Sequence, residues 1–250
     1  MATPVPSVPD PDVRPAPLMS HGLPILYEDE EEGDLGESNP HVVTDEILHV
    51  CLKAHLAGRP EYRIFSNMNL YYVDVEIERG RGLPYVSPDI MVVEPARLLP
   101  EDVASYQIGR DGPAPVLTAE ILSERSAQQR DLREKAVVYA RLGVAEYILV
   151  DVTGRFLPQR LLLKRLQPDG SWQDEQDADG GVTSRLGFRL LIDPDGRLRV
   201  LDAATGKRYI RPDEAETAVA EARRQAEQRI RELEAELARL RATLPGGENR

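Results

Sequence analysis

The sequence has little cysteine and no long apolar run, and each scarcity excludes a class of protein. Cys51 is the only cysteine in 250 residues, so a disulfide framework and a cysteine-ligated metal centre are excluded. No stretch approaches the roughly 18 apolar residues of a membrane span. The proline-rich N-terminus lacks the apolar run of a signal peptide. We therefore expect a cytoplasmic protein with no membrane contact.

Other motifs and residue types are scarce as well. No glycine-rich phosphate loop follows any predicted strand, which argues against a nucleotide-binding α/β domain. Only four of the 31 basic residues are lysines, namely Lys53, Lys135, Lys164 and Lys207. A GC-rich genome is the simpler explanation of this bias. A lysine in such a chain still raises the question of whether it takes part in chemistry.

Charge is distributed unevenly along the chain. The formal net charge is −12, but residues 1–40 contain nine acidic residues and one arginine, which leaves −4 for the remaining 210 residues. A nearly neutral domain gives only weak electrostatic support for binding of a nucleic acid.

Composition divides the chain into four parts. Residues 1–39 are proline-rich and then acidic, which predicts a disordered leader. Residues 40–211 contain the strand and helix patterns of one α/β domain. Residues 212–244 form a heptad helix, and 245–250 are a short tail. An acidic leader could compete with DNA for a basic groove, although a solvated leader is the simpler interpretation.

Periodicity predicts a mixed sheet flanked by helices within the domain. A helix begins after Pro40 and ends before Gly58. A strand around Glu120, a helix ending at Gly143 and a strand over 146–151 form a crossover unit, which implies some parallel pairing. Two hairpins are predicted around Pro168-Asp-Gly170 and Pro194-Asp-Gly196.

The C-terminal helix carries a heptad seam. Its apolar positions alternate four- and three-residue steps, and they are Ala226, Ile230, Leu233, Leu237, Leu240 and Leu244. Arg223 interrupts the seam upstream. Three interpretations stay open: a helix packed back on the domain, a homodimer through residues 226–244, and a zipper with a different partner.

Two carboxylates and one lysine carry the chemical information. Asp89 and Glu120 lie in segments that read as buried strands, where an unpartnered carboxylate is costly. Together they could hold Mg²⁺, with Mn²⁺ as a substitute and the main-chain carbonyl of Ile121 as a third ligand. Lys135, on the following helix, could assist a water or stabilise developing charge. This combination predicts a metal-dependent phosphodiesterase.

Each candidate also has a simpler structural role. Asp89 could cap a turn or pair with an arginine, and Lys135 could be a solvent-facing partner of Asp131. Asp131 itself fits a first-turn residue that stabilises the helix dipole. Glu46 could add a metal ligand. The histidines His41, His49 and His55 show no metal-ligand spacing to the two acids, which favours helix-surface or capping roles. Tyr139 is expected to pack between helix and sheet.

These motifs resemble the PD-(D/E)XK nuclease superfamily, through Pro88-Asp89 and Ala119-Glu-Ile-Leu-Ser123. The longer run narrows the likeness to the Uma-type family of "putative restriction endonucleases", over roughly residues 40–192. It comprises Asp131-Leu-Arg-Glu-Lys135, Tyr139-Ala-Arg-Leu-Gly-Val-Ala-Glu-Tyr147 and Asp151, and His41 also fits.

The resemblance implies a restriction-endonuclease-like α/β core and a magnesium-dependent DNA endonuclease site at Asp89, Glu120 and Lys135. One position departs from the superfamily pattern, because Leu122 stands where its lysine is usually found. Lys135 would then be a migrated lysine, delivered from the next helix. The alternative is a catalytically inactive protein of the same fold that acts as a scaffold through its coiled coil.

Overall fold

The computed structural model describes residues 39–73, 83–94, 99–100, 102–123 and 130–243, and the backbone of 19–20 and 23–24. Side chains are described throughout the longer ranges except at 130–132 and 240–243. Most of the leader, which was predicted to be disordered, lies outside the described residues, and so does the tail 245–250. In the leader, residues 19–20 and 23–24 form two short paired strands.

The helices are α1 (Asn39–His55), α2 (Ala136–Leu142), which a π-helical segment (Arg130–Lys135) directly precedes, and α3 (Pro212–Thr243). The strands are β1 (Met19–Ser20), β2 (Leu23–Pro24), β3 (Arg63–Ser66), β4 (Leu70–Tyr71), β5 (Tyr85–Val86), β6 (Ile90–Val93), β7 (Tyr106–Gln107), β8 (Leu117–Ile121), β9 (Glu146–Val150), β10 (Leu161–Leu166), β11 (Trp172–Glu175), β12 (Val182–Thr183), β13 (Phe188–Ile192) and β14 (Leu198–Asp202).

A six-stranded mixed sheet forms the centre of the fold. Its order is β11-β10-β9-β8-β6-β3, and β8 pairs parallel with β9 while the other neighbours are antiparallel. The π-helical segment and α2 lie between β8 and β9 in the chain, which is the connection that parallel neighbours need. The predicted mixed α/β sheet is confirmed.

Each face of this sheet is covered by its own apolar core. On one face, α1 and the small sheet β12-β13-β14 pack against residues such as Ile90, Ala119 and Ile148. On the other face, α2 and the small sheet β5-β4-β7 pack against residues such as Met91 and Leu149. Successive side chains along a strand point to opposite faces of the sheet. Since Ala119 faces α1, the next residue, Glu120, faces α2.

Local turn signals predicted several elements well. Both Pro-Asp-Gly hairpins are present, with Gly170 and Gly196 at positive φ, and Gly143 ends α2 in the left-handed conformation. Ser126-Ala-Gln-Gln129 fits a capping box, and Arg79-Gly-Arg-Gly82 fits a turn. Both segments lie outside the described residues.

One predicted strand is divided in two. Residues 85–93 were expected to form a single strand carrying Asp89, but β5 ends at Val86, β6 begins at Ile90 and Asp89 lies in the bend between them. Pro88 explains the break, because it has no N–H to donate to a strand ladder. The first helix also starts one residue before Pro40, at Asn39.

None of the helices in the described part of the chain combines the length and apolar character that a membrane crossing requires.

Candidate active site

Asp89 is fixed at the point where β6 and β8 stop pairing. The last paired residues are Ile90 and Ala119. Beyond them, the Asp89 Oδ2 atom accepts the backbone N–H of Ile121 at 2.6 Å and lies 3.3 Å from His41 Nε2. Both of these contacts use Oδ2 of the Asp89 carboxylate.

Glu120 is the fourth of the five residues of the buried strand β8 and is 1% exposed. Its Oε2 accepts a hydrogen bond from Lys135 Nζ at 2.8 Å, and its Oε1 accepts one from Tyr139 Oη at 2.7 Å. Both donors come from the segment that follows β8. A carboxylate buried this deeply needs such partners, because desolvation of an isolated charge is unfavourable.

Lys135 ends the π-helical segment, and its side chain is 14% exposed. Besides Glu120, its Nζ atom donates to the main-chain carbonyl of Ser87 at 3.1 Å, just before Asp89. The lysine therefore bridges the bend that carries one acid and the strand that carries the other. Leu122, at the position where the superfamily lysine usually stands, is buried in the core of the α2 face.

Helix α1 brings two further groups that spacing alone missed. His41 was expected on the helix surface or in a capping role, but it is 7% exposed and contacts Asp89. Asp45 lies one turn later, and its carboxylate accepts a hydrogen bond from the Ser66 hydroxyl in β3. Both carboxylate oxygens lie 2.7 Å from Ser66 Oγ. Glu46, the acid first considered as an extra ligand, is exposed instead. The sequence held one signal for this pair: His41 and Asp45 are four residues apart and therefore lie on the same face of the helix.

The environment of Asp45 disfavours its ionised form. Burial raises the pKa of the Asp45 carboxyl, the hydrogen bond from Ser66 opposes this effect, and the neighbouring Asp89 charge raises the pKa further. The charges of Asp45 and Asp89 therefore oppose each other. A bound cation would remove this repulsion and favour ionisation of Asp45.

The other two histidines of α1 lie away from both acids. His55 was also expected on the surface, but its ring nitrogens contact Tyr209 Oη at 2.8 Å and the Leu186 carbonyl at 3.0 Å. It therefore joins α1 to the β12–β14 side of the domain. His49 lines a separate cleft with Lys53 and Arg59.

Two acids of the longer motif have structural roles. Glu146 is 2% exposed and pairs with Arg165 while accepting the N–H of Arg185 at 2.9 Å. Burial alone would raise the pKa of Asp151, but hydrogen bonds from Thr153 and from backbone N–H groups lower it. These two carboxylates hold loops in place and lie outside the contacts made by Asp89 and Glu120.

The donor set is suited to a hard cation. Within the described residues no group of three or more His, Cys, Asp or Glu side chains is preassembled for metal binding. Two carboxylates suffice for Mg²⁺, which usually retains several waters and prefers oxygen ligands. The carboxylates of Asp89 and Glu120, which Lys135 links through its contacts with Ser87 and Glu120, are the oxygen donors that fit such an ion. Asp131 was an alternative partner for Lys135, but its side chain lies outside the described residues.

Comparison with known proteins assigns the family. Residues 35–193 match the model of a family described as "Uma2: Putative restriction endonuclease". The chain belongs to this family. The match spans Asp89, Glu120 and Lys135, and it ends before β14 and α3. The resemblance seen in the sequence motifs is thereby confirmed.

Among solved structures, the Uma2-family chain is similar to one described as a putative nuclease belonging to DUF820 from Anabaena variabilis ATCC 29413. The TM-score is 0.42 at 17% identity, and the alignment covers 59% of this chain and 73% of that one. The comparison with curated proteins gives no significant match.

Proposed function

We propose that this Uma2-family protein is a DNA endonuclease that hydrolyses phosphodiester bonds with Mg²⁺ held by Asp89 and Glu120. The main-chain carbonyl of Ile121 would supply a third oxygen, and Mn²⁺ would substitute for Mg²⁺. The observation that carries the proposal is the pairing of a strand carboxylate, Glu120, with Lys135 at 2.8 Å beside the bend that holds Asp89.

Each residue has a distinct part in this chemistry. A cation bound by the two carboxylates would neutralise phosphate charge and make a water nucleophilic near neutral pH. Lys135 carries a compact ammonium that can stabilise the charge developing on the phosphate. Tyr139 fixes the Glu120 carboxylate through its 2.7 Å hydrogen bond. The Ile121 N–H does the same for Asp89.

A nucleic-acid substrate is supported by the family and by a basic cleft on the same helix. His41 and Asp45 are followed on one face of α1 by His49 and Lys53, at four-residue steps. His49 and Lys53 line a cleft of about 370 Å³ together with Arg59 and Arg63. Glu61 pairs with Arg59 at 3.6 Å, which reduces the local positive charge. DNA as the substrate is our proposal.

A cleavage assay with a matched variant tests the proposal. Glu120→Gln keeps the size of a side chain that is buried, and it should lower Mg²⁺-dependent cleavage of DNA at least about 100-fold, as loss of a metal ligand does. Glu46→Gln removes an exposed acid of α1 near the site and should leave cleavage unchanged. Retained cleavage by Glu120→Gln would remove Glu120 from the mechanism.

The second candidate function is a catalytically inactive scaffold of the same fold. It is favoured by one observation, the exposed apolar seam of α3, which contributes no residue to the proposed site. The two candidates differ in the behaviour of the folded wild-type protein. Absence of cleavage on double-stranded DNA, single-stranded DNA and RNA, with Mg²⁺ or Mn²⁺, would favour the scaffold.

A further inference from the structure

Helix α3 exposes an apolar seam that no described part of the chain covers. Every described side chain from 215 to 239 is exposed. The seam residues Ile230, Leu233 and Leu237 are 55%, 42% and 51% exposed. The interpretation that this helix packs back on its own domain is therefore wrong for the described residues. A contiguous row of exposed large apolar groups marks an interaction surface.

The first turn of α3 is anchored firmly to the domain. Arg199, which is 3% exposed, forms hydrogen bonds with both carboxylate oxygens of Glu214. Glu214 also accepts the N–H of Arg211 at 3.0 Å, in the manner of a capping box, and Pro212 follows as the first helical residue. The 32 residues of α3 span about 48 Å, so its distal part extends from a fixed base.

The identities of the seam residues favour two parallel helices. With Ile230 at heptad position a, Leu233 and Leu240 occupy position d and Leu237 the next a. A β-branched residue at a with leucine at d is the combination typical of parallel dimers. Arg223 falls at the preceding a position, where it pairs with Glu227 of its own helix at 3.0 Å, and this marks the upstream limit of the seam.

The flanking charges select a second copy of the same chain. In a parallel, in-register pair, each g position faces the e position of the next heptad on the other helix. Arg229 at g would then face Glu234 at e, and Glu236 at g would face Arg241 at e, so both pairs have opposite charges. In an antiparallel pair that stacks Leu233 on Leu237, Glu234 and Glu236 would instead meet their own copies.

We propose that residues 226–244 form a parallel, in-register, two-stranded coiled coil with a second copy of this chain. This inference goes beyond the proposed nuclease function and does not depend on it. One consequence does rest on that function. A parallel pair brings both domains to the same end of the coiled coil, so that two active sites can act on the two strands of one duplex.

Sedimentation equilibrium of the full chain over a range of concentrations tests the dimer. Wild type should approach twice its 27.9 kDa. Leu233→Asp, at d, should raise the dissociation constant at least about 100-fold. Ala235→Asp is the matched control, because it places the same charge at f, on the opposite side of the helix, and it should dimerise like wild type.

A wild-type chain that remains at 27.9 kDa at all concentrations, or forms trimers, would overturn the proposal, and so would equal dissociation constants for the two variants. A monomer would leave a different protein as the partner of the seam. Because this readout is molecular mass, it is independent of any result on DNA cleavage.

Cysteine substitution tests the orientation. Ala226→Cys at d should form an interchain disulfide under mild oxidation only if identical residues meet, as they do in a parallel dimer. Ala235→Cys at f should not. The native Cys51 is buried, and its burial raises the pKa of the thiol to about 11, so it does not compete. A dimer in which Ala226→Cys fails to cross-link would contradict the parallel register.

Discussion

Each oxygen of the Glu120 carboxylate accepts a hydrogen bond from a different side chain, and both side chains belong to the helical region that follows β8. Lys135 Nζ binds Oε2 and Tyr139 Oη binds Oε1, four residues apart in the chain. The charge of the lysine compensates a buried anion, while the tyrosine adds direction without charge. In the proposed metal site, Tyr139 would orient Glu120, and loss of such an orienting group typically lowers metal affinity or activity about 10- to 100-fold.

Removing the Tyr139 hydroxyl should therefore weaken the site without unfolding the protein. Tyr139→Phe is expected to lower Mg²⁺ affinity or cleavage rate about 10- to 100-fold, because Glu120 loses one of the bonds that position it. Titration calorimetry and initial rates measure both effects. Tyr106→Phe is the control: Tyr106 is equally buried and donates to the Pro113 carbonyl at 2.7 Å, away from the acids. Equal loss of Mg²⁺ affinity in both variants would contradict a positioning role.

Replacing Lys135 should lower the free energy of unfolding, because the buried Glu120 carboxylate would lose its positively charged partner. Lys135→Met leaves Glu120 without its cation and is expected to destabilise the metal-free protein by about 3–5 kcal/mol. Mg²⁺ should restore part of this stability, since it supplies the missing charge. Thermal unfolding with and without Mg²⁺ measures the effect, and the Mg²⁺-induced shift should be larger in the variant than in wild type. Identical shifts would show that the cation does not bind beside Glu120.

At this scale, the acids and the lysine could be found from the sequence, but their surroundings could not. Asp89 and Glu120 stood out as carboxylates in apolar segments, and Lys135 stood out by its family spacing. Asp45 and the hydroxyl of Tyr139 were missed. Their contacts depend on how α1 packs on β3 and α2 on β8, and neither packing is encoded in local periodicity.

At the scale of elements, the ion-pair network at the base of α3 fixes the helix to β14. Hydrogen bonds from Arg199 lower the pKa of Glu214 to about 2, and those from Arg211 lower the pKa of Asp195 to about 2. Both carboxyl groups are partly exposed, so solvent screening reduces what each pair contributes to stability. The network still accounts for why α3 begins sharply at Pro212.

Acidification should release this anchor. A carboxyl whose folded pKa is depressed stabilises the folded state above its ordinary pKa and loses that effect as the pH falls through the folded value. For Glu214 this window extends from about 4.5 down to about 2. Glu214→Gln should reduce stability at pH 6 and show a smaller further loss toward pH 2 than wild type. Urea unfolding between these pH values measures it, with Glu216→Gln, an exposed neighbour, as the control. Parallel losses in the two variants would contradict the assignment.

Elements with strong local signals were predicted correctly, and elements shaped by tertiary contacts were not. The two Pro-Asp-Gly hairpins, the Gly143 helix end and the crossover between β8 and β9 follow from turn chemistry and spacing. The break at Pro88 was overlooked because the apolar run on both sides reads as one strand. The π-helical turn that ends at Lys135 has no periodic signature distinct from an α-helix.

On the scale of the whole molecule, the family domain and the terminal helix are distinct in composition and in contacts. The family match ends at residue 193, whereas β14 and α3 follow it. The net charge of the chain is −12, so the proposed nucleic-acid substrate would have to be recognised locally, at the proposed metal site and at the basic cleft beside α1. Binding of DNA should then depend strongly on the cation.

The most direct measurement is calorimetric titration of Mg²⁺ and Mn²⁺ into the folded full-length protein and into its Asp89→Asn/Glu120→Gln variant. Asparagine and glutamine preserve the size of both side chains and remove the charges that a hard cation requires. The account predicts saturable binding of both metals to wild type and its loss in the double variant. Binding of equal affinity to both proteins, or no binding to wild type in the presence of DNA, would contradict it.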